Sequence, residues 1–260
     1  MKLPTISVAT IVKNESANIS DFFRTINGVA DELVLVDTGS SDETVALINQ
    51  CAKSAPYSVR LFEKRFEPFH FGRAKNFAID LCEKDYVQIL DADQRMSEGY
   101  KKKVKNFLST EPLVVETLQE DDVVPHFIDP QLRLFKNHIG IRYAEDEESR
   151  TDEVLIFSGS PNRFEEKLLH LQGGKYKPRR KNRWKEELQM DIQKTPREHG
   201  SLRELIRGMF AFYYIFKKIY INREAWKDGW EGLKYSFIRA RYKLLIHFFV
   251  AFKPRRPDNA

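Results

Sequence analysis

The chain has 260 residues, 42% of them apolar and 12% aromatic, which is enough to bury a sizeable core and excludes a disordered polypeptide. Its net charge of +5 hides a polarity: residues 1–166 hold 20 Lys and Arg against 29 Asp and Glu, whereas residues 167–260 hold 23 against 9. The basic part expects an anionic partner, and two cysteines outside any metal-ligand spacing, Cys51 and Cys82, exclude a disulfide framework and point to a reducing compartment.

Ile6 to Val12 is β-rich, follows Pro4, and is too short for a signal sequence, so export is not expected. A helix is predicted after Asn14, with Ile19, Phe22, Phe23 and Ile26 on one face. Glu32 to Asp37 is a second apolar strand, and the turn Thr38 to Thr44 leads into a helix over Val45 to Lys53, with Ser41 or Asp42 as its N-cap. Val59 to Phe62, Arg73 to Cys82 and Tyr86 to Leu90 continue the pattern as strand, helix and strand. This alternation predicts an α/β fold with a mostly parallel sheet covered by helices on both faces, and ligands at the carboxyl ends of the strands.

Three groups of residues fall at that edge. Asp37 ends a strand, where its carboxylate can accept a hydrogen bond from a base or ribose; as an alternative it is an ordinary turn aspartate. Arg73-Ala74-Lys75-Asn76 opens a helix, where cations and free N–H groups favour a diphosphate. Asp91 and Asp93 leave the end of a strand one residue apart, so pleat alternation places both carboxylates on one side, within reach of a divalent cation. No P-loop and no Gly-x-Gly-x-x-Gly follows the first strand, which argues against a phosphoryl-transfer ATPase and a dinucleotide oxidoreductase.

Ile6 to Glu15, Val34 to Thr44, Arg73 to Ala78 and Leu90-Asp91-Ala92-Asp93 resemble, in order and spacing, successive blocks of the family 2 glycosyltransferases with the GT-A, Rossmann-like fold. Asp228-Gly229-x-x-Gly232 is similar to a run of the lipopolysaccharide core β-1,4-glucosyltransferase branch. The resemblance implies an inverting enzyme that moves a hexose, glucose in that branch, from a UDP-sugar to a lipid-linked saccharide such as an inner-core heptose. It implies Thr10 and Asp37 at the uridine, Lys13 and Glu15 in the donor site, Lys75 at the diphosphate, Asp91 near ribose or metal, and Asp93 as chief ligand of Mg²⁺ or Mn²⁺. Lys75 stands where the family usually has arginine, and Gln94 where the branch commonly has glutamate.

Inverting transfer needs a carboxylate to take the acceptor proton. In the family it follows an Arg-Leu-Phe segment, here Arg133 to Phe135, which makes Glu153 the first choice, without the usual preceding histidine, and Glu145 the second. His170 can line the acceptor or sugar pocket. Residues 1–170 are thus expected to form the catalytic domain, 171–202 a basic linker, 203–252 a helical aromatic region, and 253–260 a disordered tail. No apolar run reaches the roughly twenty residues of a spanning helix. The basic extension, with an apolar arc through Leu233, Phe237, Leu244, Phe248 and Phe252, predicts peripheral attachment to an anionic membrane on its cytoplasmic inner face; packing against the catalytic domain or a second subunit is the alternative. No nucleic-acid module is present. A peptide or other glycolipid acceptor, and a catalytically silent scaffold, remain as alternative functions.

Overall fold

The computed structural model describes residues 3–146, 155–171, 188, 189, 191–193, 195, 197 and 199–254. The chain divides into two compact units, Met1–Gln119 with Asp129–Leu171, and Glu120–Ile128 with Gln172–Ala260. The first unit's end at Leu171 lies one residue beyond the expected catalytic boundary, but a short excursion, Glu120–Ile128, groups with the C-terminal part. Most of the expected 171–202 linker and residues 255–260 of the expected tail lie outside the described residues.

The elements of the first unit are β1 (Ile6–Val12), α1 (Ser16–Ile26), β2 (Glu32–Asp37), α2 (Thr44–Ala52), β3 (Ser58–Glu63), α3 (Phe71–Asp80), β4 (Tyr86–Ile89), β5 (Gln94–Met96) and α4 (Glu98–Leu108). They continue with β6 (Val114–Asp121), β7 (Ile128–Lys136), β8 (Arg142–Tyr143), β9 (Leu155–Ile156) and β10 (Asn162–His170). One sheet has the order β3-β2-β1-β4-β7-β6-β10-β5. Strand pleating sorts the apolar side chains onto two faces. Ile6, Val8, Val12, Leu33 and Leu35 pack with Ile19, Phe22 and Ile26 of α1 and Ile48 of α2. Ala9, Val34, Val36, Val87 and Ile89 join Ala78 and Ile79 of α3 in a second cluster. Each inner strand is therefore apolar at nearly every position, as the sequence required.

The strands from β3 to β4 are parallel, with Thr10 beside Leu35, Val12 beside Asp37, and Ala9 beside Ile89. The expected mostly parallel sheet is instead mixed, because β7 runs antiparallel to β4 and β10 antiparallel to β5. A second correction concerns the aspartate pair. β4 stops at Ile89, and Asp91 to Asp93 occupy the turn into β5, so pleat alternation does not set their directions. A third concerns α2, whose cap position is Glu43; Asp42 instead accepts from the Thr44 N–H and hydroxyl, at 3.1 and 2.5 Å.

The second unit contains α5 (Ser201–Lys217), a π-helical turn (Lys218–Asn222), a 3₁₀ turn (Ala225–Asp228) and α6 (Gly229–Ala251). α5 and α6 cross closely at Gly208, where a Cβ would lie 2.9 Å from His247 Cβ. The Asp-Gly-x-x-Gly run has a structural explanation. Asp228 accepts from the His126 N–H at 3.2 Å and meets its Nδ1 at 2.6 Å. Gly229 has φ +59° with ψ −129°, and a Cβ on Gly232 would meet the Ala225 carbonyl oxygen at 1.7 Å. Of the expected α6 arc, Phe237, Phe248 and Phe252 are exposed, whereas Leu233 and Leu244 are half-buried. Among the described residues no helix is long and apolar enough to cross a membrane.

Candidate active site

The two loops that follow β1 and β2 are tied to each other before any ligand is considered. Asn14, at φ +57°, donates its N–H to Ser40 Oγ at 2.9 Å and accepts from the Ser41 N–H at 2.8 Å. The Glu15 N–H reaches Thr44 Oγ1 at 2.8 Å, and the Ser16 N–H reaches Asp42 at 3.3 Å. The small polar residues of both motifs thus satisfy the loop amides that the parallel sheet leaves open at its carboxyl edge.

Asp37 sits on that edge with its carboxylate folded into its own turn, accepting from the Gly39 N–H at 3.0 Å and from the Ser40 N–H and hydroxyl at 3.0 and 2.5 Å. The turn alternative therefore describes its observed partners: the Ser40 N–H also reaches Oδ1 at 3.2 Å, so each carboxylate oxygen already accepts twice within the turn. Thr10 is buried and its hydroxyl has no hydrogen-bond partner among the described residues. Lys13 is exposed.

Asp91 is the electrostatic centre. Its Oδ2 accepts from Arg133 Nη1 at 2.6 Å and its Oδ1 faces Lys75 Nζ at 3.4 Å. Burial by itself would raise the carboxyl pKa, but Arg133 and then Lys75 outweigh it and hold the group well below the usual carboxylate range. Lys75 is itself buried and lies 5.4 Å from the centroid of the Tyr143 ring. Gln94 closes the turn: its side-chain oxygen accepts from the Asp91 N–H at 3.0 Å, its own N–H donates to the Asp91 carbonyl at 2.9 Å, and its amide nitrogen reaches Gln119 at 2.7 Å. Glutamate at this position could accept from Asp91 but could not donate to Gln119.

Asp93 points elsewhere. Its Oδ2 lies 3.2 Å from His170 Nε2, and the Leu171 N–H donates to its carbonyl at 3.0 Å. The β10–β5 pairing, which sets His170 opposite Gln94, brings the histidine there. Glu15 belongs to the same acidic field: burial raises its pKa first, and the charges of Asp93, Asp91 and Asp42 raise it further against the hydrogen bond from Asn18.

Glu145 is positioned by α3. A Cβ on Gly72 would lie 2.0 Å from the Ala144 carbonyl oxygen, so only glycine admits the chain this close. Asn76 exchanges hydrogen bonds with the Tyr143 backbone at 2.8 and 2.9 Å and donates to Glu145 Oε1 at 2.6 Å. His70 Nε2 meets the Asp146 carbonyl at 2.9 Å. Residues 143–146 are thereby held along the start of the helix that carries Lys75. Glu153 lies outside the described residues.

The structure thus gathers Lys75, Asp91, Asp93, Glu15 and His170, whereas Glu145 is held by Asn76, the residue after Lys75 on α3. Sequence reasoning passed over Arg133 and Asn76 as site residues. Arg133 had one legible signal: a cation inside the otherwise apolar Leu-Arg-Leu-Phe strand needs a carboxylate partner.

Comparison with known proteins agrees with this arrangement. Residues 7–169 match the profile of "Glycosyl transferase family 2". An uncharacterized glycosyltransferase of Rickettsia felis is 31% identical over 93 residues, covering 36% of this chain but only 30% of that relative's length. The lipopolysaccharide core biosynthesis glycosyltransferase LpsC of Rhizobium meliloti is 25% identical over 273 aligned residues, covering 97% of this chain and 92% of LpsC. Among solved structures, S. aureus TarS 1–349 in complex with UDP-GlcNAc superposes with a TM-score of 0.50 at 11% identity, covering 95% of this chain and 90% of that one. The expected GT-A fold is the one found. Since the profile spans more than half of the chain, across every element that builds the site, the protein is a member of glycosyltransferase family 2.

Proposed function

We propose that the protein is an inverting, metal-dependent transferase that moves a hexose, glucose in the first instance, from a UDP-sugar to a lipid-linked saccharide such as an inner-core lipopolysaccharide heptose. The observation that carries this is the near full-length alignment with LpsC, whose name places that relative in lipopolysaccharide core biosynthesis. The charge arrangement at the sheet edge supports the donor class. Lys75 and Arg133 supply positive charge for a diphosphate, the Thr10 hydroxyl, without a partner among the described residues, suits a nucleoside, and Asp37 would reach one by exchanging a contact of its own turn.

The residues fit a hard divalent cation, with Asp93 as its holder. Among the described residues no group of three His, Cys, Asp or Glu could hold a metal alone. Mg²⁺ or Mn²⁺ would be held through Asp93 and completed by donor phosphates. The cation would neutralise the leaving diphosphate. Asp91, engaged by two cations, orients the turn and is the nearer of the pair to ribose. The acceptor hydroxyl attacks the anomeric carbon from the face opposite the diphosphate, the carbon–oxygen bond to UDP breaks with its electron pair leaving on the phosphate, and a carboxylate takes the hydroxyl proton. Glu153 and Glu145 remain the candidate bases in that order, and the hydrogen bond from Asn76, which fixes Glu145 Oε1, favours the second as a positioned carboxylate.

A lipid-linked acceptor puts the enzyme at the cytoplasmic face of the inner membrane, and the basic C-terminal third is suited to its anionic headgroups. Incubating the protein with a panel of UDP-sugars and core-truncated lipopolysaccharide, and weighing the products by mass spectrometry, tests the proposal. One added hexose from UDP-glucose is expected. No transfer from any UDP-sugar refutes it, and transfer only to peptide or to another glycolipid replaces the acceptor.

A further inference from the structure

α5 is built back to front for a helix exposed to water. The helical repeat of 3.6 residues sorts it into three sectors. Glu204, Gly208 and Ile219 just beyond it are buried, and with Ile215 they form the sector turned into the second unit. Glu204, the helix's one carboxylate, is on that side, paired with His247 at 3.2 Å and Arg207 at 3.5 Å. The outward sector carries Leu202, Ile206, Met209, Phe210 and Tyr213, spaced i, i+4, i+7, i+8 and i+11, with Leu202 71% and Phe210 70% exposed. On one flank between the two lie exposed Arg203 and Arg207, continued by Lys218, and exposed Lys217 ends the outward sector one turn beyond Tyr213.

A solvated helix face ordinarily mixes charges of both signs, and a stripe this apolar marks a surface meant to be covered. The cations choose the occupant. A second copy of the chain packed α5 to α5 by a two-fold axis would set Arg203 against the partner's Lys217 and Lys218, or each cation against its equivalent, with no outward carboxylate on α5 to offset them. A nucleic acid would leave Leu202, Ile206 and Met209 without an apolar partner. An anionic bilayer matches both sectors, since acyl chains take the apolar stripe and headgroups take the flanking cations.

We infer that the outward face of α5, rather than the expected arc on α6, docks the protein on an anionic lipid bilayer. The inference takes its purpose from the lipid-linked acceptor proposed above, but its physics is independent of that acceptor. It also fixes an orientation: α5 lies in the interface plane, with Phe210 and Tyr213 below the headgroups, Arg203 and Arg207 on the flank at their level, and Lys217 at the helix end extending its ammonium up to them.

Flotation of the full-length protein with phosphatidylglycerol vesicles and with phosphatidylcholine vesicles tests this. Wild-type protein is expected to bind the anionic vesicles, to bind more weakly as salt rises, and to retain part of the binding at high salt. The Leu202→Ala, Phe210→Ala, Tyr213→Ala variant should lose about tenfold or more of its partitioning and the salt-resistant part with it. The Arg203→Gln, Lys217→Gln, Lys218→Gln variant should lose about tenfold or more at low salt only. Both variants keep strong helix formers at exposed positions, and unchanged circular dichroism and UDP affinity verify that they are folded. Wild-type protein that stays soluble with anionic vesicles at low salt, or an alanine variant that floats like wild type, overturns the inference. So does a wild-type dimer that the alanine variant dissociates, which would assign the face to a second copy. Sugar transfer to a detergent-dispersed acceptor is read separately, so a failed transfer assay and a failed flotation are distinguishable.

Discussion

The Arg133 guanidinium makes a charge-assisted contact of 2.6 Å to Asp91, and the buried Lys75 is the second cation on the same carboxylate. Removing Arg133 leaves Asp91 half-compensated and free to turn. Arg133→Met is therefore expected to lower transfer by about a hundredfold, chiefly in kcat, with Arg133→Lys restoring part of it, because misplacing a donor contact by about 1 Å costs that much. Equal kcat in all three proteins would show that the pair merely holds the fold. For the base, Glu145→Gln should lower kcat by about two to four orders of magnitude with UDP affinity unchanged, since only proton abstraction is lost. If Glu145→Gln is as active as wild type and Glu153→Gln is inactive, the base is Glu153. α3 begins at Phe71, so Lys75 lies past its first turn and not at its opening. Asp37, Lys75, Asp91 and Asp93 were named as candidates because their residue types follow an apolar strand or stand near a helix start. Asn76 was not, because its role comes from the Tyr143 backbone, 67 residues away in sequence.

At the scale of elements, β1, β2 and α3 decide the geometry. The Gly72 position on α3 carries residues 143–146, and a methyl group there would collide with backbone at 2.0 Å, which cannot rotate away. Gly72→Ala should cost about 1–3 kcal/mol of stability and lower turnover more than UDP binding, measured by urea unfolding beside steady-state kinetics. An unchanged midpoint would mean that the 143–146 segment is not held as described. At the opposite end of the sheet, Glu32 is buried yet its pKa is lowered: burial pushes it up, but the Ser7 hydroxyl at 2.5 Å, the Glu83 N–H at 2.9 Å and Arg60 at 2.9 Å prevail. A folded pKa below the unfolded value of about 4.3 gives stability that is present above that value and lost as pH falls through the folded one. Glu32→Gln should therefore be less stable than wild type at pH 7, with the gap closing below about pH 4; a gap independent of pH contradicts the assignment. The parallel strands and their helices were legible because both faces are buried and the apolar runs are continuous. The antiparallel β7, β10 and β5 were not, because their partners are set by the return path of the chain and not by local pattern.

For the whole molecule, the charge division runs along the chain, with an acidic excess over residues 1–166 and a basic excess over residues 167–260. Composition located the basic region but not its working face, since the α5 sectors become visible only once Glu204 is seen to be buried. The Asp-Gly-x-x-Gly run suggested the subfamily by resemblance, and in the folded chain it has a mechanical role, in which Asp228 holds His126 and Gly232 admits the Ala225 carbonyl. The proposed chemistry depends above all on a donor site completed by a cation at Asp93. Calorimetric titration of UDP-glucose into the protein, with Mg²⁺ or Mn²⁺ and then with chelator, tests it most directly. The expected result is binding that depends strongly on the divalent ion and is lost in Asp93→Ala while the fold is retained. Equal affinity with and without the ion, or an Asp93→Ala protein that binds as tightly as wild type, would contradict it.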